Sequence, residues 1–319
     1  MTTPAPTFGV ALSASTDPTH TANYVDAVID LAREAVDLGL GSAWFGQRFD
    51  YDAAALAGFV GREVPGLCVG TSAIPIVARH PLLVSSQAQT AQAATGGRFR
   101  LGLALGAQAF VEGPFGVPYD RPIARLREFL TALRPALTSG GTEFSGDLIT
   151  ATNPAGMTTA LPGADPPVPV LVAALGPQAL AVSGELADGI LPFLAGPRAL
   201  ENVVVPTVTA AASAAGRPAP QVVALVAAIV TSDPDAVRER AAATMGFYDA
   251  VPSYQRIVAA EGAERAADLV LIGDEDTVAA GLRRYRDAGA TEIVATQTDL
   301  DGPESRARTW RLLGELAKD

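Results

Sequence analysis

The clearest candidate for chemistry in this chain is the six-residue stretch AALGPQ, Ala173–Gln178, at the end of an almost continuously apolar run. The run Val168–Ala174 has the composition of a strand that is buried on both faces. Pro177 suits the first position of a helix, where free backbone N–H groups and the helix dipole attract anions. The pattern therefore predicts a phosphate site that Gly176 keeps open for close approach. An ordinary tight turn between strand and helix is the alternative.

Side chains that bind metals or act as nucleophiles are scarce. The chain has two histidines, His20 and His80, and one cysteine, Cys68. A Cys/His zinc cluster needs more ligands than these, and a single cysteine forms no internal disulfide. We therefore expect no metal site.

The overall charge and hydropathy narrow the range of partners. The formal net charge is −11, with 34 acidic and 23 basic residues, and no cluster of Lys and Arg appears. Nucleic acids and anionic membranes require a basic surface, so neither is an expected partner. No uninterrupted apolar stretch of about 18 residues occurs, and the N-terminus lacks a basic region before a long apolar segment. We expect a cytoplasmic protein.

The elements that must position these residues alternate between strand and helix patterns. Most apolar runs are followed by stretches with helical spacing, such as Asn23–Gly39 and Pro81–Ala94. After the seventh run, helices are expected to continue to about Arg286. The predicted strands are Phe8–Leu12, Ser42–Gly46, Leu67–Ile76, Phe99–Gly106, Val168–Ala174, Gly189–Leu194, Gln221–Thr231 and Thr291–Gln297.

This alternation, without a linker rich in Pro, Gly or Ser, predicts one α/β domain over residues 1–319, a (β/α)8 TIM barrel. An open doubly wound sheet is the alternative. Gly141–Thr150 resembles a small hairpin inserted before the fifth strand, and Ala107–Arg121 reads as a long irregular loop.

In a barrel, the site lies at the carboxyl ends of the strands. Six predicted loops then surround it: Ser13–Asn23, Gln47–Tyr51, Ser72–Arg79, Ala107–Arg121, Ala173–Gln178 and Phe193–Arg198.

Several longer motifs resemble those of the bacterial-luciferase-like family. VPVLVAALGPQALAVSGELADGILP, from Val168, is similar to its fifth-strand region, and VGTSAIPIVARHPLLVSSQAQTAQAATGGRFRLGLALG, from Val69, to its third and fourth strand-helix units. LAREAVDLGLGSAWFGQ, from Leu31, and GDEDTVAAGLRRYRDAGATEIV, from Gly273, match its second strand and its C-terminal end. The resemblance covers nearly the whole chain and is nearest to the oxidoreductases of actinobacterial type that depend on coenzyme F420, a 5-deazaflavin.

The resemblance implies a TIM barrel with an insertion and a flavin or deazaflavin lying across the strand ends. It implies a cis peptide bond between Ser72 and Ala73, where a plain strand end is the alternative. His80 recurs in the family's RHP pattern, which implies a contact with the cofactor, and a structural role is the alternative. The implied cofactor-binding residues are Gln47, Arg48, Thr71, Ser72, Ala73, His80, Gly106, Ala107, Ala173, Ala174, Leu175, Gly176, Pro177 and Gln178.

Two positions depart from the family pattern. Many relatives carry Asp-His after the second strand, where this chain has Gln47 and Arg48, and some carry an acid where it has Ala107. Gln47 can hydrogen-bond the cofactor ring or a substrate, and Arg48 can meet an anion or form a surface ion pair. Glu112 and Tyr119, in the long loop, are the candidate replacements for that acid, with a solvated loop carboxylate as the alternative for Glu112. Gln47 and Glu112 are thus the candidate catalytic residues.

Three functions remain open at this point. The first is a coenzyme F420-dependent oxidoreductase that transfers a hydride to or from a small organic substrate, an alcohol, a ketone or an activated double bond. The second is an FMN-dependent two-component monooxygenase, and the third is a non-catalytic flavin-binding protein. Relatives are often dimers, so a homodimer is expected. The pocket is expected to be apolar, with the side chains of Phe110, Val111, Phe115, Val117 and Phe193.

Overall fold

The computed structural model describes residues 8–318, so residues 1–7 and residue 319 of the predicted domain lie outside the described residues. The strands are β1 (Phe8–Ala11), β2 (Ser42–Phe45), β3 (Cys68–Thr71), β4 (Ile74–Pro75), β5 (Phe99–Ala104), β6 (Glu143–Ser145), β7 (Thr150–Thr152), β8 (Val170–Ala173), β9 (Gly189–Ile190), β10 (Gln221–Val230), β11 (Leu271–Gly273) and β12 (Glu292–Thr296).

The α-helices are α1 (Tyr24–Asp37), α2 (Ala53–Glu63), α3 (Pro81–Ala94), α4 (Gln108–Phe115), α5 (Pro122–Thr138), α6 (Pro177–Leu186), α7 (Pro197–Ala199), α8 (Val205–Ala214), α9 (Pro234–Met245), α10 (Pro252–Glu261), α11 (Glu275–Asp287) and α12 (Gly302–Leu316). A π-helical turn, Leu200–Val204, joins α7 to α8, and 3₁₀ turns cover Gly246–Ala250 and Ala266–Leu269.

Eight parallel strands close into a barrel, which confirms the predicted (β/α)8 fold over the open sheet. The ring runs β1-β2-β3-β5-β8-β9-β10-β12 and closes where β12 pairs with β1, at Phe8 with Ile293 and Val10 with Ala295. Of the described helices, none is long and apolar enough to cross a membrane.

The capping residues explain where several helices begin. Asn23, the predicted cap of α1, accepts hydrogen bonds from the backbone N–H groups of Val25 and Asp26 at 3.0 and 3.4 Å. Asp52 and Asp274 accept in the same way at the starts of α2 and α11. These side chains satisfy N–H groups that have no partner within the helix, so they fix the first residue of each helix.

Two sequence expectations were wrong. The stretch Ala107–Arg121, expected to be irregular, contains α4, because Val111 is buried beneath it and holds the helix on the barrel despite Gly113 and Pro114. The region expected to continue as helix to about Arg286 contains β11, which is only three residues long and pairs with the end of β10. A strand this short carries no periodic signal.

The predicted insertion before the fifth barrel strand is present. It is an antiparallel hairpin of β6 and β7, and its second strand runs to Thr152, two residues beyond the predicted end. The predicted sixth strand, Gly189–Leu194, is regular only over β9, and Phe193 makes an isolated bridge to Leu225.

The amino end of the barrel is closed by a buried polar network. The carboxylate of Glu292 accepts hydrogen bonds from the guanidinium of Arg100 at 2.5 and 3.1 Å, from Ser42 Oγ at 2.5 Å and from Trp44 Nε1 at 3.1 Å. The Arg100 guanidinium also lies 4.5 Å from the Trp44 ring centroid. Because the charges here are matched within the protein, this end of the barrel is structural core.

The carboxyl end has a different lining. Ala11, Ala73 and Ala173 lie at the strand ends, only partly buried, and pack against the interior cluster around Trp44 and Leu191. Small side chains at the ends of several strands leave room above the barrel core. The carboxyl end is also where barrels of this kind carry their sites, so this mouth is the candidate site.

Candidate active site

The stretch predicted to bind phosphate is an open helix start. β8 ends at Ala173, and Gly176 precedes α6 with extended backbone angles, φ −78° and ψ 149°. No side chain caps α6, and a Cβ atom at Gly176 would meet nothing within 4 Å. The first-turn N–H groups, at Gln178 and Ala179, thus have no side-chain acceptor. This arrangement fits an anionic ligand such as a phosphate.

A second Gly-Pro helix start follows β9, but its first turn is not open. Gly196 and Pro197 begin α7 after β9, and the N–H of Ala199 donates to Glu261 Oε2 at 2.8 Å. A Cβ at Gly196 would collide with the Glu261 carboxyl group. A carboxylate of the protein itself therefore fills the position that stays open at α6.

Gln47, the first candidate catalytic residue, is held by four hydrogen bonds within the protein. Its Nε2 donates to the carbonyls of Arg48 and Tyr51, both at 2.6 Å, and its Oε1 accepts from Ala53 N at 3.3 Å and from Arg79 at 3.0 Å. Its amide orders the loop after β2, so a catalytic contact of Gln47 stays a prediction.

Arg79 connects that loop to the end of β4. One of its nitrogens donates to the Pro75 carbonyl at 3.1 Å, another bonds Gln47, and Asp52 lies 3.8 Å away. Burial lowers the pKa of the Arg79 guanidinium, and the charge of Asp52 partly opposes this. Even a lowered arginine pKa leaves the group charged at neutral pH, so Arg79 keeps a positive charge near the mouth.

Arg48 forms a surface ion pair, which is one of the two roles predicted for it. Its Nε and Nη2 donate to the two carboxylate oxygens of Asp50 at 3.0 and 2.9 Å, and its guanidinium lies 5.8 Å from the Tyr51 ring centroid. An exposed pair of this kind opens at small cost. Anion binding by Arg48 therefore stays a prediction.

His80 holds two elements together. Its Nδ1 accepts the N–H of Leu82 at 3.3 Å and caps α3, while its Nε2 lies 2.9 Å from the Thr150 carbonyl in β7. An accepting Nδ1 implies that Nε2 carries the proton and donates it to that carbonyl. Both ring nitrogens are thus engaged, and the cofactor contact of His80 stays a prediction.

The end of β3 has the backbone that the resemblance implies. The Ser72–Ala73 peptide bond is cis, and both residues are partly exposed at the mouth. Thr71, one residue earlier, is buried. Its hydroxyl donates to the Gly102 carbonyl and accepts from the Gly102 N–H, both at 2.8 Å. Thr71 therefore holds β3 against β5 through its side chain, whereas Ser72 and Ala73 remain partly exposed.

Glu112, the second candidate catalytic residue, organises the loop around α4. Its carboxylate accepts from Gln108 and from the Tyr119 N–H, both at 3.0 Å, and it is exposed. The Tyr119 hydroxyl donates to the Gly106 carbonyl at 2.9 Å, and burial raises the pKa of that phenol. Gly106 and Ala107 are partly buried at the end of β5. Tyr119 thus remains a protonated hydrogen-bond donor, and an acid role for Glu112 stays a prediction.

Aromatic side chains surround the mouth more extensively than the sequence indicated. Phe110 on α4 contacts Phe247, with ring centroids 5.1 Å apart, and Phe193 contacts Tyr248 at 5.2 Å and Tyr254 at 6.0 Å. The sequence pointed to Phe110 and Phe193 and missed the other three. The sequence feature that could have indicated these three residues is the run GFYDAVPSY after α9, which has three aromatic residues within eight positions.

A second missed residue is Thr296, the last residue of β12. Glu292 and Val294 point into the barrel, whereas Ile293 and Ala295 pack outward, so alternation turns Thr296 inward. Thr296 is 8% exposed, and its buried hydroxyl has no hydrogen-bond partner. The sequence marked this residue only as the end of a strand.

Metal ligands do not converge at this mouth. Across residues 8–318, no group of three or more His, Cys, Asp and Glu residues is placed to hold a metal ion.

Comparison with known families agrees with the architecture. The sequence model of the luciferase-like monooxygenase family matches residues 7–292. A coenzyme F420-dependent oxidoreductase of Mycobacterium tuberculosis is 30% identical over 179 residues, which cover 53% of this chain and 51% of that protein. The aligned chain thus spans about half the length of that relative.

Two further proteins are similar over more of the chain. A 5,10-methylenetetrahydromethanopterin reductase of Methanolobus tindarius is 26% identical, with 74% of this chain and 69% of that protein covered. The structure of an F420-dependent secondary alcohol dehydrogenase in complex with an F420-acetone adduct superposes with a TM-score of 0.78 at 17% identity, covering 96% of this chain and 98% of that one. At that identity, the superposition supports the fold alone.

Proposed function

Since this chain belongs to the luciferase-like monooxygenase family, we propose that it is an oxidoreductase that transfers a hydride between coenzyme F420 and a small, apolar organic substrate. The observation that carries the proposal is the open start of α6 at Gly176, where a phosphate-bearing cofactor finds N–H groups that no side chain caps. Relatives that are F420-dependent by name support the choice of cofactor.

The residues at the mouth fit such a cofactor. The N–H groups of Gln178 and Ala179 would hold its phosphate, and the small strand-end residues Ala11, Ala73 and Ala173 would leave room for its planar ring. When bound, a deazaflavin supplies a ring carbon that donates or accepts a hydride. The protein's contribution is to bind, to orient and to exclude water.

The side chains around the mouth suit that contribution. Gln47 and Arg79 tie the loop after β2 to the end of β4, so two walls of the mouth are fixed before anything binds. The aromatic side chains on α4 and on the 3₁₀ turn after α9 supply an apolar cover that keeps water from the reacting carbon. An uncharged, apolar substrate is the one that this cover would admit at least cost.

The proton that accompanies hydride transfer to a carbonyl needs a donor. Tyr119 is a candidate, because its phenol is half-buried beside Gly106 and burial raises its pKa, so that it holds its proton at neutral pH. Glu112 is the other candidate, and its carboxylate accepts the N–H of Tyr119 at 3.0 Å. Tyr119→Phe and Glu112→Gln separate the two, because removal of the true donor lowers kcat and flattens its pH profile.

An FMN-dependent monooxygenase is the second candidate function, because the phosphate of FMN would meet the same helix start. Fluorescence titration of the purified protein with coenzyme F420 and with FMN separates the two. We expect selective binding of coenzyme F420. Selective binding of FMN would establish the second candidate, and binding of a cofactor without turnover of any substrate would favour a flavin-binding protein.

A homodimer and a cytoplasmic location also stay predictions. Light scattering on the purified protein tests the first, and fractionation of the source cells tests the second.

A further inference from the structure

We propose that the substrate carries an aromatic ring and that this ring packs against the touching rings of Phe110 and Phe247 at the mouth of the barrel. This inference rests on the proposed function, because it assigns the substrate class of the same site. Phe110 is 46% exposed and Phe247 is 48% exposed, yet their rings meet at 5.1 Å with an interplanar angle of 54°. Two exposed aromatic side chains in contact form an apolar patch, and such a patch beside a candidate site suits the binding of an apolar ligand.

The contact between these two rings spans the mouth. Phe110 lies on α4, which follows β5, and Phe247 lies on the 3₁₀ turn that follows β10 and α9. In the ring of strands, β8 and β9 lie between β5 and β10. The aromatic pair therefore bridges elements from non-adjacent strands, on the side of the mouth where β8 leads to the open start of α6.

A continuous aromatic wall leads from this pair into the barrel. Phe247 contacts Tyr248 at 5.6 Å, and Tyr248 contacts Phe193 at 5.2 Å. Phe193 in turn packs against the interior cluster around Leu191 and Leu225. The aromatic pair is thus continuous with the candidate active site, and a molecule that packs against Phe110 and Phe247 lies at the entrance to that site.

The geometry of the wall favours aromatic guests over aliphatic ones. Its rings meet at interplanar angles of 54°, 74° and 73°, which are tilted or edge-to-face arrangements. An aromatic guest extends this pattern with its own edge and face, whereas an aliphatic guest of equal size gains only buried area. Of two ligands with the same shape, the aromatic one should therefore bind more tightly, because it makes additional ring contacts.

Exposure alone does not mark a binding site. Phe59 on α2 is 57% exposed and, among the described residues, makes no aromatic contact. It lies on the outer layer of the barrel, away from the strand ends. Phe59→Ala is thus the matched control for Phe110→Ala and Phe247→Ala.

The test compares two ketones of nearly equal size, acetophenone and cyclohexyl methyl ketone, by calorimetric titration of the protein with and without bound coenzyme F420. We expect the unmodified protein to bind acetophenone about three- to tenfold more tightly. Phe110→Ala and Phe247→Ala should remove this preference, while Phe59→Ala keeps it. All three variants should keep the Tm and the affinity for coenzyme F420.

Equal affinity for the two ketones in the unmodified protein, or an equal loss of preference in Phe59→Ala, would overturn the assignment of the substrate ring to Phe110 and Phe247. A protein that binds neither coenzyme F420 nor FMN would instead overturn the proposed function. Because the ketone titrations are also run without cofactor, the two failures give different results.

Discussion

Two neighbouring helix starts of this barrel share a Gly-Pro sequence and have opposite surroundings. After β8, Gly176 and Pro177 begin α6 with open space in front of the first turn. After β9, Gly196 and Pro197 begin α7, and the Glu261 carboxylate accepts the N–H of Ala199. The comparison teaches that a glycine and a proline make a helix start accessible, but a residue distant in sequence decides whether it remains open.

The helix that makes this difference is α10. It carries Glu261 at its C-terminal end, against α7, and Tyr254 near its start, where the ring contacts Phe193 and Tyr248. One helix thus fills the start of α7 and builds part of the aromatic wall. Substitutions at the open helix start, at the filled one, on α10 and on the opposite side of the mouth should therefore have different effects.

The largest effect is expected from a charge placed at the open start. Gly176→Asp puts a carboxylate where the cofactor phosphate would lie, and repulsion between the two should weaken binding of coenzyme F420 by about a hundredfold or more. The Tm should change little, because a carboxylate is favourable at a helix N-terminus.

Gly176→Ala is the matched control for this prediction. Its methyl group enters open space, and φ is −78°, which any residue adopts, so affinity should stay within about threefold of the unmodified protein. Fluorescence titration measures both variants. Retained affinity in Gly176→Asp would show that the phosphate site lies elsewhere.

Removal of the carboxylate at the filled start should cost stability instead. Glu261→Ala leaves the Ala199 N–H without its acceptor, and the free energy of unfolding should fall by about 1–2 kcal/mol. Glu261→Gln keeps a carbonyl acceptor and should cost about half as much. Urea denaturation measures these values, and an unchanged midpoint in Glu261→Ala would show that Glu261 does not stabilise α7.

The anchoring of α10 should be sensitive to alkaline pH. Burial, together with the charge of Tyr248, raises the pKa of Tyr254 to about 12. The folded state therefore favours the neutral phenol, and this stabilisation is complete below about pH 10 and lost as the pH rises towards 12. The unmodified protein should lose up to about 1.4 kcal/mol per pH unit across that range because of this residue.

Tyr254→Phe keeps the ring and removes the titrating group. Its stability at pH 8 should match that of the unmodified protein within about 0.5 kcal/mol, and its loss between pH 10 and 12 should be smaller. Urea midpoints at pH 8, 10 and 11.5 give the comparison. Parallel pH profiles for the two proteins would contradict the assignment.

The smallest effect concerns Thr296, on the side of the mouth away from α6. Its buried hydroxyl has no partner, so Thr296→Val should raise the stability of the ligand-free protein by about 0.5–1 kcal/mol. Thr296→Ser, which keeps the hydroxyl and loses the methyl group, should lower it. A destabilised valine variant, detected by its Tm, would indicate that the protein itself uses the hydroxyl.

The sequence predicted the strands and helices around the site better than it predicted the contacts of the site's side chains. The apolar runs gave all eight barrel strands, because a strand covered on both faces must be apolar along its length. The helix start at Pro177 was predicted for the same kind of local reason. The roles of Gln47 and His80 were less accessible, because each bonds to a residue that only folding brings near, Arg79 and Thr150.

The family resemblance supplied one feature that local patterns did not. The cis bond between Ser72 and Ala73 is present, yet the residues GTSAIPI read equally well as a plain strand end. Tertiary contacts supplied α4, which Gly113 and Pro114 argued against and which Val111 holds in place.

The sequence by itself thus determined the barrel and the Gly-Pro helix start at Pro177, because these depend on short-range periodicity and local backbone preference. Only the tertiary structure decided which start stays open and which aromatic side chains meet across the mouth. The bond from Ala199 to Glu261 and the contact of Phe110 with Phe247 join residues far apart in the chain. No local pattern encodes such pairs, because their distance is set by the packing of whole helices around the barrel.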